Sequence, residues 1–191
     1  ITKPETLAEQ VVEIPERLCA NGEVLTPLDE IQTREKLSEV YNAGIRSLAI
    51  CLLHAWRNPQ HEQIVEKLAR EIGFTEISVS SQVAPLIKLV SRGDTTVMDA
   101  YLSPILREYV SEIASRLGPE SQLKMMTSAG GLVAADQFVG KDSILSGPAG
   151  GVIGFAKVAE QAGFTRAIGF DMGGTSTDVS RFDGTFEREY E

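Results

Sequence analysis

The stretch that decides the fold is Phe170-Asp171-Met172-Gly173-Gly174-Thr175-Ser176-Thr177-Asp178. Apolar residues flank a Gly-Gly pair, which predicts a strand, a tight turn and a returning strand. Adjacent glycines carry no Cβ atoms, so the backbone N–H groups of such a turn can converge on one phosphate. The alternative is a hairpin whose glycines serve only the geometry of the turn. Because Asp-x-Gly-Gly-Thr-x-x-Asp is more specific than a bare Gly-Gly pair, we predict a phosphate-binding hairpin.

The residue types in this hairpin suggest separate roles. Asp171, at the end of the first strand, is predicted to be catalytic and to hold Mg²⁺, an ion that prefers carboxylate and water oxygens. Asp178, on the returning strand, is predicted to share the catalytic role. Phosphate binding is assigned to the turn and the hydroxyls beside it, at Gly173, Gly174, Thr175, Ser176 and Thr177. The sequence contains neither a Walker loop nor a dinucleotide-binding glycine motif.

A second glycine-rich segment precedes the hairpin and reads Ser146-Gly147-Pro148-Ala149-Gly150-Gly151. It predicts the start of a helix with Ser146 as the N-cap and with the following N–H groups directed at an anion. Candidate cofactor-binding residues here are Ser146, Gly147, Gly150 and Gly151. Simple capping and close helix packing remain the alternative. Ser146 is not expected to be a nucleophile, because the Gly-x-Ser-x-Gly motif is absent.

The first half of the chain alternates between helical and strand patterns. Apolar residues recur at helical spacing from Asp29 to Ala43, and Ile45–Leu53 is an apolar run typical of a strand covered on both faces. Asn58-Pro59 is predicted to cap and begin a second helix, and a short strand follows from Glu76 to Ser80. Because parallel neighbours need helical crossovers, this order predicts an α/β protein with a largely parallel sheet.

Longer patterns follow in the second half. A helix is predicted from about Thr96 to Leu117, with Pro104 as a kink or a restart. Further strands are predicted at Gln122–Thr127, at Leu132 and Val133, and at Ala167–Met172, Ser176–Phe182 and Thr185–Tyr190.

Composition excludes several classes of protein. The formal net charge of −9 over 191 residues, without a cluster of Lys and Arg, argues against nucleic-acid binding. No apolar stretch is long enough to span a membrane, and no signal-peptide pattern opens the chain, so no membrane association is expected. Two cysteines do not form a disulfide framework, which favours the reducing cytoplasm. His54 and His61 lack the spacing of a zinc site, and a structural role is expected for both.

Taken together, several strings resemble the hydantoinase A and 5-oxoprolinase family, which includes N-methylhydantoinase A and acetone carboxylase beta-like proteins within the actin-like ATPase superfamily. The specific strings are the hairpin and Leu145-Ser146-Gly147-Pro148-Ala149-Gly150-Gly151-Val152. Weaker similarity lies in three further strings, at residues 52–62, 95–101 and 126–131. In this family an acidic residue often precedes the arginine that stands here as Arg92, so Ser91 departs from the pattern and no substrate role is assigned there.

The resemblance implies an incomplete RNase H-like lobe of an actin-like ATPase, a mixed sheet flanked by helices. Residues 1–120 would be the C-terminal part of the hydantoinase/oxoprolinase N-terminal region. Residues 121–191 would start the hydantoinase A core and carry the first phosphate hairpin of the following lobe. In the superfamily ATP binds with Mg²⁺ between two lobes that each supply a hairpin. Residues 1–170 contain no other Asp-x-Gly-Gly-Thr string, so the chain is expected to be an inactive fragment.

The activity implied for the parent protein is ATP-dependent opening of a cyclic amide, such as 5-oxoproline or a hydantoin, by phosphorylation of the ring carbonyl. The implied partner is a hydantoinase B-type subunit or fused region. An ATP-binding switch or a scaffold domain without a lactam substrate is the alternative. The sequence leaves open whether exposed sheet edges support a homo-oligomer.

Overall fold

A computed structural model describes residues 7–186, which form two compact units. The first unit consists of the residues up to Glu112 together with Val139–Lys141. The second consists of Ile113–Phe138 and the residues from Asp142 onward. Within the described range, no helix has the length and apolar character needed to cross a membrane.

The first unit begins with a small antiparallel ribbon of β1 (Arg17–Leu18) and β2 (Val24–Thr26). Its main body alternates helices and strands. In chain order these are α1 (Glu30–Asn42), β3 (Ser47–Ile50), α2 (Gln60–Ile72), β4 (Glu76–Val79), the one-turn α3 (Ser80–Val83) and α4 (Leu89–Ser115). Strands β3 and β4 pair in parallel, with Ser47 opposite Glu76 and Ile50 opposite Val79.

Helices cover both faces of the β3–β4 sheet. Successive strand residues point to opposite faces, and the even-numbered Leu48 and Ile50 of β3 pack with the buried residues of α1 and α2. On the other face, Ser47 and Ser78 contact α4, through the carbonyl oxygen of Ala100 at 2.5 Å and the carboxylate of Asp99 at 2.7 Å. The expectation of a strand covered on both faces within Ile45–Leu53 is therefore confirmed, but the strand is shorter than predicted and spans only Ser47–Ile50.

A buried polar network lies beyond the carboxyl ends of β3 and β4. Glu62 and Arg92 are both fully buried, and the hydroxyl of Ser80 lies between them. This hydroxyl donates to the Glu62 carboxylate at 2.5 Å and accepts from Nε of Arg92 at 2.9 Å. Glu62 also accepts from the backbone N–H groups of Leu52 and Ser81, and Arg92 donates to the carbonyl oxygens of Leu52 and Leu86. A buried carboxylate and a buried guanidinium are thus satisfied together.

The second unit contains two hairpins and one long helix. Strands β5 (Lys124–Met126) and β6 (Leu132–Ala134) pair antiparallel, followed by a 3₁₀ turn at Ala135–Gln137 and the short α5 (Gly140–Ser143), whose first residues belong to the first unit. Helix α6 (Ser146–Gln161) then leads into β7 (Ala167–Met172) and β8 (Thr177–Phe182), which also pair antiparallel.

The predicted sheet type and several predicted helix boundaries need correction. The sheet is not largely parallel: the described strands form four two-stranded sheets, of which only β3–β4 is parallel. Helix α4 begins at Leu89 and passes through Pro104 without a restart. Helix α2 is capped by Pro59 rather than Asn58, although the Asn58 side chain accepts from the N–H of Gln60 at 3.1 Å. The predicted strand Thr185–Tyr190 falls mostly outside the described residues.

Candidate functional site

The hairpin predicted from the Gly-Gly string is present as β7 and β8. Its register places Asp171 directly opposite Asp178, with Met172 opposite Thr177 as the last pair before the turn. Directly opposed residues in an antiparallel pair have Cβ atoms about 5 Å apart and point to the same face. The two predicted catalytic carboxylates are therefore neighbours.

This carboxylate pair faces helix α6. A Cβ atom added to Gly151 of α6 would lie 4.0 Å from Oδ2 of Asp171, so the helix backbone passes close to the carboxylate. A cavity of about 400 Å³ lies here, and both aspartates line it together with Pro148, Gly151, Val152 and Phe155. Helix α6 thus forms one wall. Pro148 lies in its first turn, where the partial positive charge of the helix favours anions.

The start of α6 differs from the predicted cap. Helix α6 begins at Ser146, and the N-cap is Leu145, whose φ of 59° is left-handed and whose side chain makes no capping bond. The prediction of Ser146 as the N-cap is therefore wrong. The first backbone bond of the helix runs from the N–H of Ala149 to the carbonyl oxygen of Leu145 at 3.0 Å. The N–H groups of Ser146 and Gly147 precede this bond, and Pro148 has none.

The glycines of α6 have different surroundings. Gly151 lines the cavity with the aspartates, but Gly150 faces β5, where an added Cβ would lie 3.4 Å from Cγ of Met126. Gly147 has open space around it. Among the four candidates of this segment, only Gly151 lines the carboxylate cavity.

The turn between β7 and β8 is open and exposed. The N–H of Gly173 donates to the carbonyl oxygen of Ser176 at 2.9 Å, which closes the turn and occupies that donor. No atom lies within 4 Å of where Gly174 would carry a Cβ, so a ligand can approach its backbone closely. The side chains of Thr175, Ser176 and Thr177 are exposed beside it. The turn therefore offers backbone and hydroxyl donors to a ligand in solvent.

Sequence reasoning missed the apolar part of the cavity wall. Pro148, Val152 and Phe155 line it from one face of α6, at a spacing of three to four residues. This spacing places side chains on one side of a helix, so it was a usable signal. The contact of Phe155 with Gly169 of β7 could not be read from the sequence.

The residues present suit a magnesium ion better than a metal that needs a full protein shell. Among residues 7–186 there is no group of three or more His, Cys, Asp or Glu side chains that could hold a metal. Mg²⁺ is commonly held by one or two carboxylates, with waters and substrate phosphates completing its shell. Asp171 and Asp178 supply two carboxylates beside a solvent-open turn.

With this geometry established, comparison with known proteins identifies the chain. The pattern of the hydantoinase/oxoprolinase family matches residues 92–191, and that of the hydantoinase/oxoprolinase N-terminal region matches residues 1–73. The chain belongs to the hydantoinase/oxoprolinase family. The prediction made from the hairpin and from the segment at Ser146 is thereby confirmed.

Named relatives of this hydantoinase/oxoprolinase chain include two 5-oxoprolinases. It is 46% identical over 172 residues to 5-oxoprolinase of Saccharomyces cerevisiae, and the aligned region covers 88% of this chain and 13% of the relative. It is 40% identical over 215 residues to 5-oxoprolinase 1 of Arabidopsis thaliana, and the aligned region covers all of this chain and 17% of the relative. The chain thus spans about a sixth or less of the length of these relatives.

Two solved structures share its architecture. ATP-dependent caprolactamase from Pseudomonas jessenii superposes with a TM-score of 0.79 at 30% identity, over 88% of this chain and 25% of that one. Nucleotide-free acetone carboxylase superposes with a TM-score of 0.78 at 28% identity, over 90% of this chain and 25% of that one. The mixed α/β architecture is therefore that of hydantoinase/oxoprolinase enzymes.

Proposed function

We propose that this chain supplies a nucleotide-phosphate and Mg²⁺ site to an ATP-dependent enzyme that activates the carbonyl oxygen of a cyclic amide. The observation that carries the proposal is the opposed pair Asp171 and Asp178, held beside the exposed Gly-Gly turn and the N-terminal half of α6. Carboxylates next to converging backbone donors suit Mg²⁺ bound to a polyphosphate.

Each residue has a role in this proposal. Asp171 holds Mg²⁺ or its water shell, and Asp178 supports the metal from the opposing strand. The turn from Gly173 to Thr175, with the hydroxyls of Ser176 and Thr177, binds phosphate oxygens, and the start of α6 from Ser146 favours their negative charge. Because the N–H of Gly173 is occupied within the turn, the proposal assigns direct amide contacts to Gly174 and Thr175.

The proposed reaction addresses the poor reactivity of an amide carbonyl. The carbonyl oxygen of 5-oxoproline or a hydantoin attacks the γ-phosphorus of ATP, so a C–O–P linkage forms and ADP leaves. Water then adds to the activated carbon and the ring C–N bond breaks, which frees the amine and leaves an acyl phosphate. A second water attacks the carbonyl carbon of this acyl phosphate, and inorganic phosphate departs with the former carbonyl oxygen. Asp171 and Asp178 would hold a Mg²⁺ ion that, together with the N–H donors of the turn, would stabilise the charge on the transferred phosphoryl group.

Further features belong to the same proposal. We place the chain in an actin-like ATPase lobe of the RNase H-like type, with residues 1–120 and 121–191 in consecutive domains and ATP bound between this lobe and a second one. A hydantoinase B-type subunit or fused region is the proposed partner, and the cytoplasm the proposed compartment. An isolated chain is expected to be inactive, because it supplies one side of the nucleotide site.

Substitution of the aspartates in a full-length family protein that contains this sequence tests the proposal. Asp171→Asn and Asp178→Asn should each lower ATP turnover with 5-oxoproline or a hydantoin by about 100-fold or more, a typical cost of losing one group that stabilises transition-state charge. Asp183→Asn is the matched control. Asp183 directly follows β8, at the end of the hairpin far from the turn, and pairs with Arg181 at the surface, so turnover should change less than about twofold.

Two results would contradict the proposal. Normal turnover by Asp171→Asn would show that the hairpin does not serve the phosphates. ATP hydrolysis that is equally fast with and without a cyclic amide would instead support a nucleotide-driven switch without a lactam substrate.

A further inference from the structure

We propose that Thr127, in the turn between β5 and β6, is a positioning residue for the phosphate site, because it fixes the hairpin that supports α6. This role rests on the proposed function and deepens it, since α6 forms one wall of the carboxylate cavity. Residues 126–131 are one of the strings with weaker similarity to the family, and the proposed phosphate site gives them no part. The contacts of the β5–β6 hairpin supply one.

Thr127 closes the turn through both its backbone and its side chain. Its N–H donates to the carbonyl oxygen of Gly131 at 2.8 Å, and its carbonyl oxygen accepts from the N–H of Gly130 at 2.9 Å. Its hydroxyl donates to the carbonyl oxygen of Gly131 at 3.1 Å and accepts from the N–H of the same residue at 3.3 Å. Only 6% of Thr127 is exposed, so water competes little for these bonds. The hydroxyl therefore helps to fix the shape of the turn.

Two close contacts join this hairpin to α6. A Cβ atom added to Gly150 of α6 would lie 3.4 Å from Cγ of Met126 on β5. In the other direction, a Cβ atom added to Gly130 of the turn would lie 3.4 Å from Cδ1 of Ile153 on α6. Gly130 has a φ of 77°, a left-handed backbone that glycine adopts without strain. Each element thus places a side chain directly against the backbone of the other.

A hydrogen bond also fixes the chain shortly before α6. The N–H of Ser128 donates to the carbonyl oxygen of Asp142 at 2.8 Å, and α6 begins four residues later, at Ser146. Ser128 directly follows Thr127. The turn that Thr127 closes therefore also holds the segment that leads into the helix.

The hairpin lies on the side of α6 opposite the carboxylate cavity. Gly150 and Ile153 face the hairpin, whereas the α6 residues that line the cavity are Pro148, Gly151, Val152 and Phe155. At about 100° per residue, the mean directions of these two sets differ by about 180°. Helix α6 therefore lies between the hairpin and the carboxylate pair. A hairpin that loses its fixed shape would allow the helix to move away from Asp171.

A phosphate site needs walls that stay in place. Binding groups have to remain within about 0.5 Å of the productive geometry, and they do so when the residues behind them are locked by packing and hydrogen bonds. Loss of such a supporting residue behind a metal site typically costs about 10- to 100-fold in affinity or activity. Removal of the buried Thr127 hydroxyl should have an effect at the lower end of this range.

Thr127→Val and Thr127→Ser, made in a full-length family protein that contains this sequence, form a matched pair. Valine keeps the shape of threonine and lacks the hydroxyl, whereas serine keeps the hydroxyl and lacks the methyl group. Isothermal titration with Mg²⁺-ADP should give a Kd about tenfold higher for Thr127→Val, and one within about twofold of the parent protein for Thr127→Ser. Rescue by serine would assign the effect to the hydroxyl.

Hydrogen exchange of the same proteins without nucleotide tests the support of α6 directly. Peptides from α6 should exchange at least about threefold faster in Thr127→Val, because the helix loses its fixed support, and peptides from α1 and α2 should be unchanged. Met126→Ala removes the contact with Gly150 and leaves the bonds of the turn intact. It should raise both the exchange of α6 and the Kd, and it takes the place of Thr127→Val if that variant does not fold.

Two serines provide controls. Ser128→Ala removes an exposed hydroxyl from the same turn and keeps the N–H that binds Asp142. Ser47→Ala removes a hydrogen bond between β3 and α4, so it lowers stability without involving α6. Both variants should bind Mg²⁺-ADP within about twofold of the parent protein, because distant sites contribute independently. Circular dichroism checks that each variant folds.

Three results would overturn the positioning role. These are unchanged exchange of α6 in folded Thr127→Val and Met126→Ala, faster exchange with an unchanged Kd, and a loss of binding in Thr127→Ser or Ser47→Ala as large as in Thr127→Val. Asp171→Asn separates this failure from failure of the proposed function. Loss of Mg²⁺-ADP binding in Asp171→Asn alone removes only the role of Thr127, whereas normal binding by Asp171→Asn removes the phosphate site and the role of Thr127 with it.

Discussion

The hydroxyl of Ser47 on β3 donates a hydrogen bond to the carbonyl oxygen of Ala100 on α4, at 2.5 Å. Ala100 lies four residues before Pro104, which has no N–H to donate to this carbonyl. The serine therefore supplies the donor that the proline lacks. This bond explains how α4 accommodates an internal proline and how the helix is attached to the sheet at the same point.

Ser47→Ala is expected to lower the free energy of unfolding by about 1 kcal/mol, because the buried carbonyl loses its donor. Pro104→Ala restores an N–H that can donate to the carbonyl oxygen of Ala100. In this background Ser47→Ala should lower the free energy of unfolding by only about a few tenths of a kcal/mol. Urea unfolding of the two single variants and the double variant measures this coupling. Additive costs would show that the serine and the proline act independently.

A second relationship joins α6 to the phosphate hairpin. A Cβ atom on Gly169 would lie 2.4 Å from Cδ1 of Phe155, so the ring occupies the space of a side chain on β7. Gly169→Ala should destabilise the chain by about 1–3 kcal/mol through overpacking. Gly154→Ala on α6, where an added Cβ meets nothing within 4 Å, should instead stabilise by about 0.5–1 kcal/mol. Thermal unfolding of both variants measures the two changes in stability. Changes of the same sign would contradict the packing of Phe155 against Gly169.

The buried network predicts a large effect at Glu62. Three donors converge on its carboxylate, so the NH₂ group of a glutamine at this position would face one of these donors. Loss of the negative charge would also leave the buried guanidinium of Arg92 without an opposite charge nearby. Glu62→Gln should cost about 3 kcal/mol in urea unfolding. A small change in the unfolding midpoint would show that the network relaxes without loss.

Glu71 is the control on the same helix. It is exposed and pairs with Arg34. The hydrogen bond from Arg34 lowers the pKa of Glu71. The contribution of Glu71 to folding stability is therefore present above the ordinary carboxyl pKa, and it is lost as the pH falls through the lowered pKa of the folded state. Glu71→Gln should shift the midpoint far less than Glu62→Gln, because exposed pairs are screened by solvent.

The carboxylate cavity predicts different effects for two glycines of α6. Gly151→Val would place methyl groups against Asp171, whereas Gly154→Val would project into open space. Both substitutions introduce the same helix cost. In a full-length protein that contains this sequence, only Gly151→Val should weaken Mg²⁺-nucleotide binding, by about tenfold or more. Equal effects in isothermal titration would argue against a metal beside Asp171.

Local chemistry made some elements predictable from sequence. Gly44 and Gly73 follow α1 and α2 and mark their ends, because glycine adopts a left-handed backbone freely, and both have φ above 100°. The β7–β8 hairpin followed from a Gly-Gly pair between two apolar runs. In each case neighbouring residues carried the whole signal.

Contacts between distant residues were not predictable. Ser80 donates to Glu62 across 18 residues of sequence, and Arg92 donates to Ser80 across a further 12. No local pattern marks such a triad. Leu145 in a left-handed conformation likewise displaced the expected serine cap. The predicted roles of Asp171 and Asp178 are consistent with their proximity but rest on the experiments above.

Asp99 accepts hydrogen bonds from Ser78 at 2.7 Å and from the backbone N–H of Lys141, 42 residues later, at 2.8 Å. As a chain emerges from the ribosome, its N-terminal part usually folds first. In this chain the buried carboxylate of Asp99, in the first unit, lacks one of these two hydrogen-bond donors until Lys141 has been synthesised. Completion of this unit is therefore delayed by the order of translation, and ribosome-bound intermediates ending before that residue should be more susceptible to proteases than those ending after it.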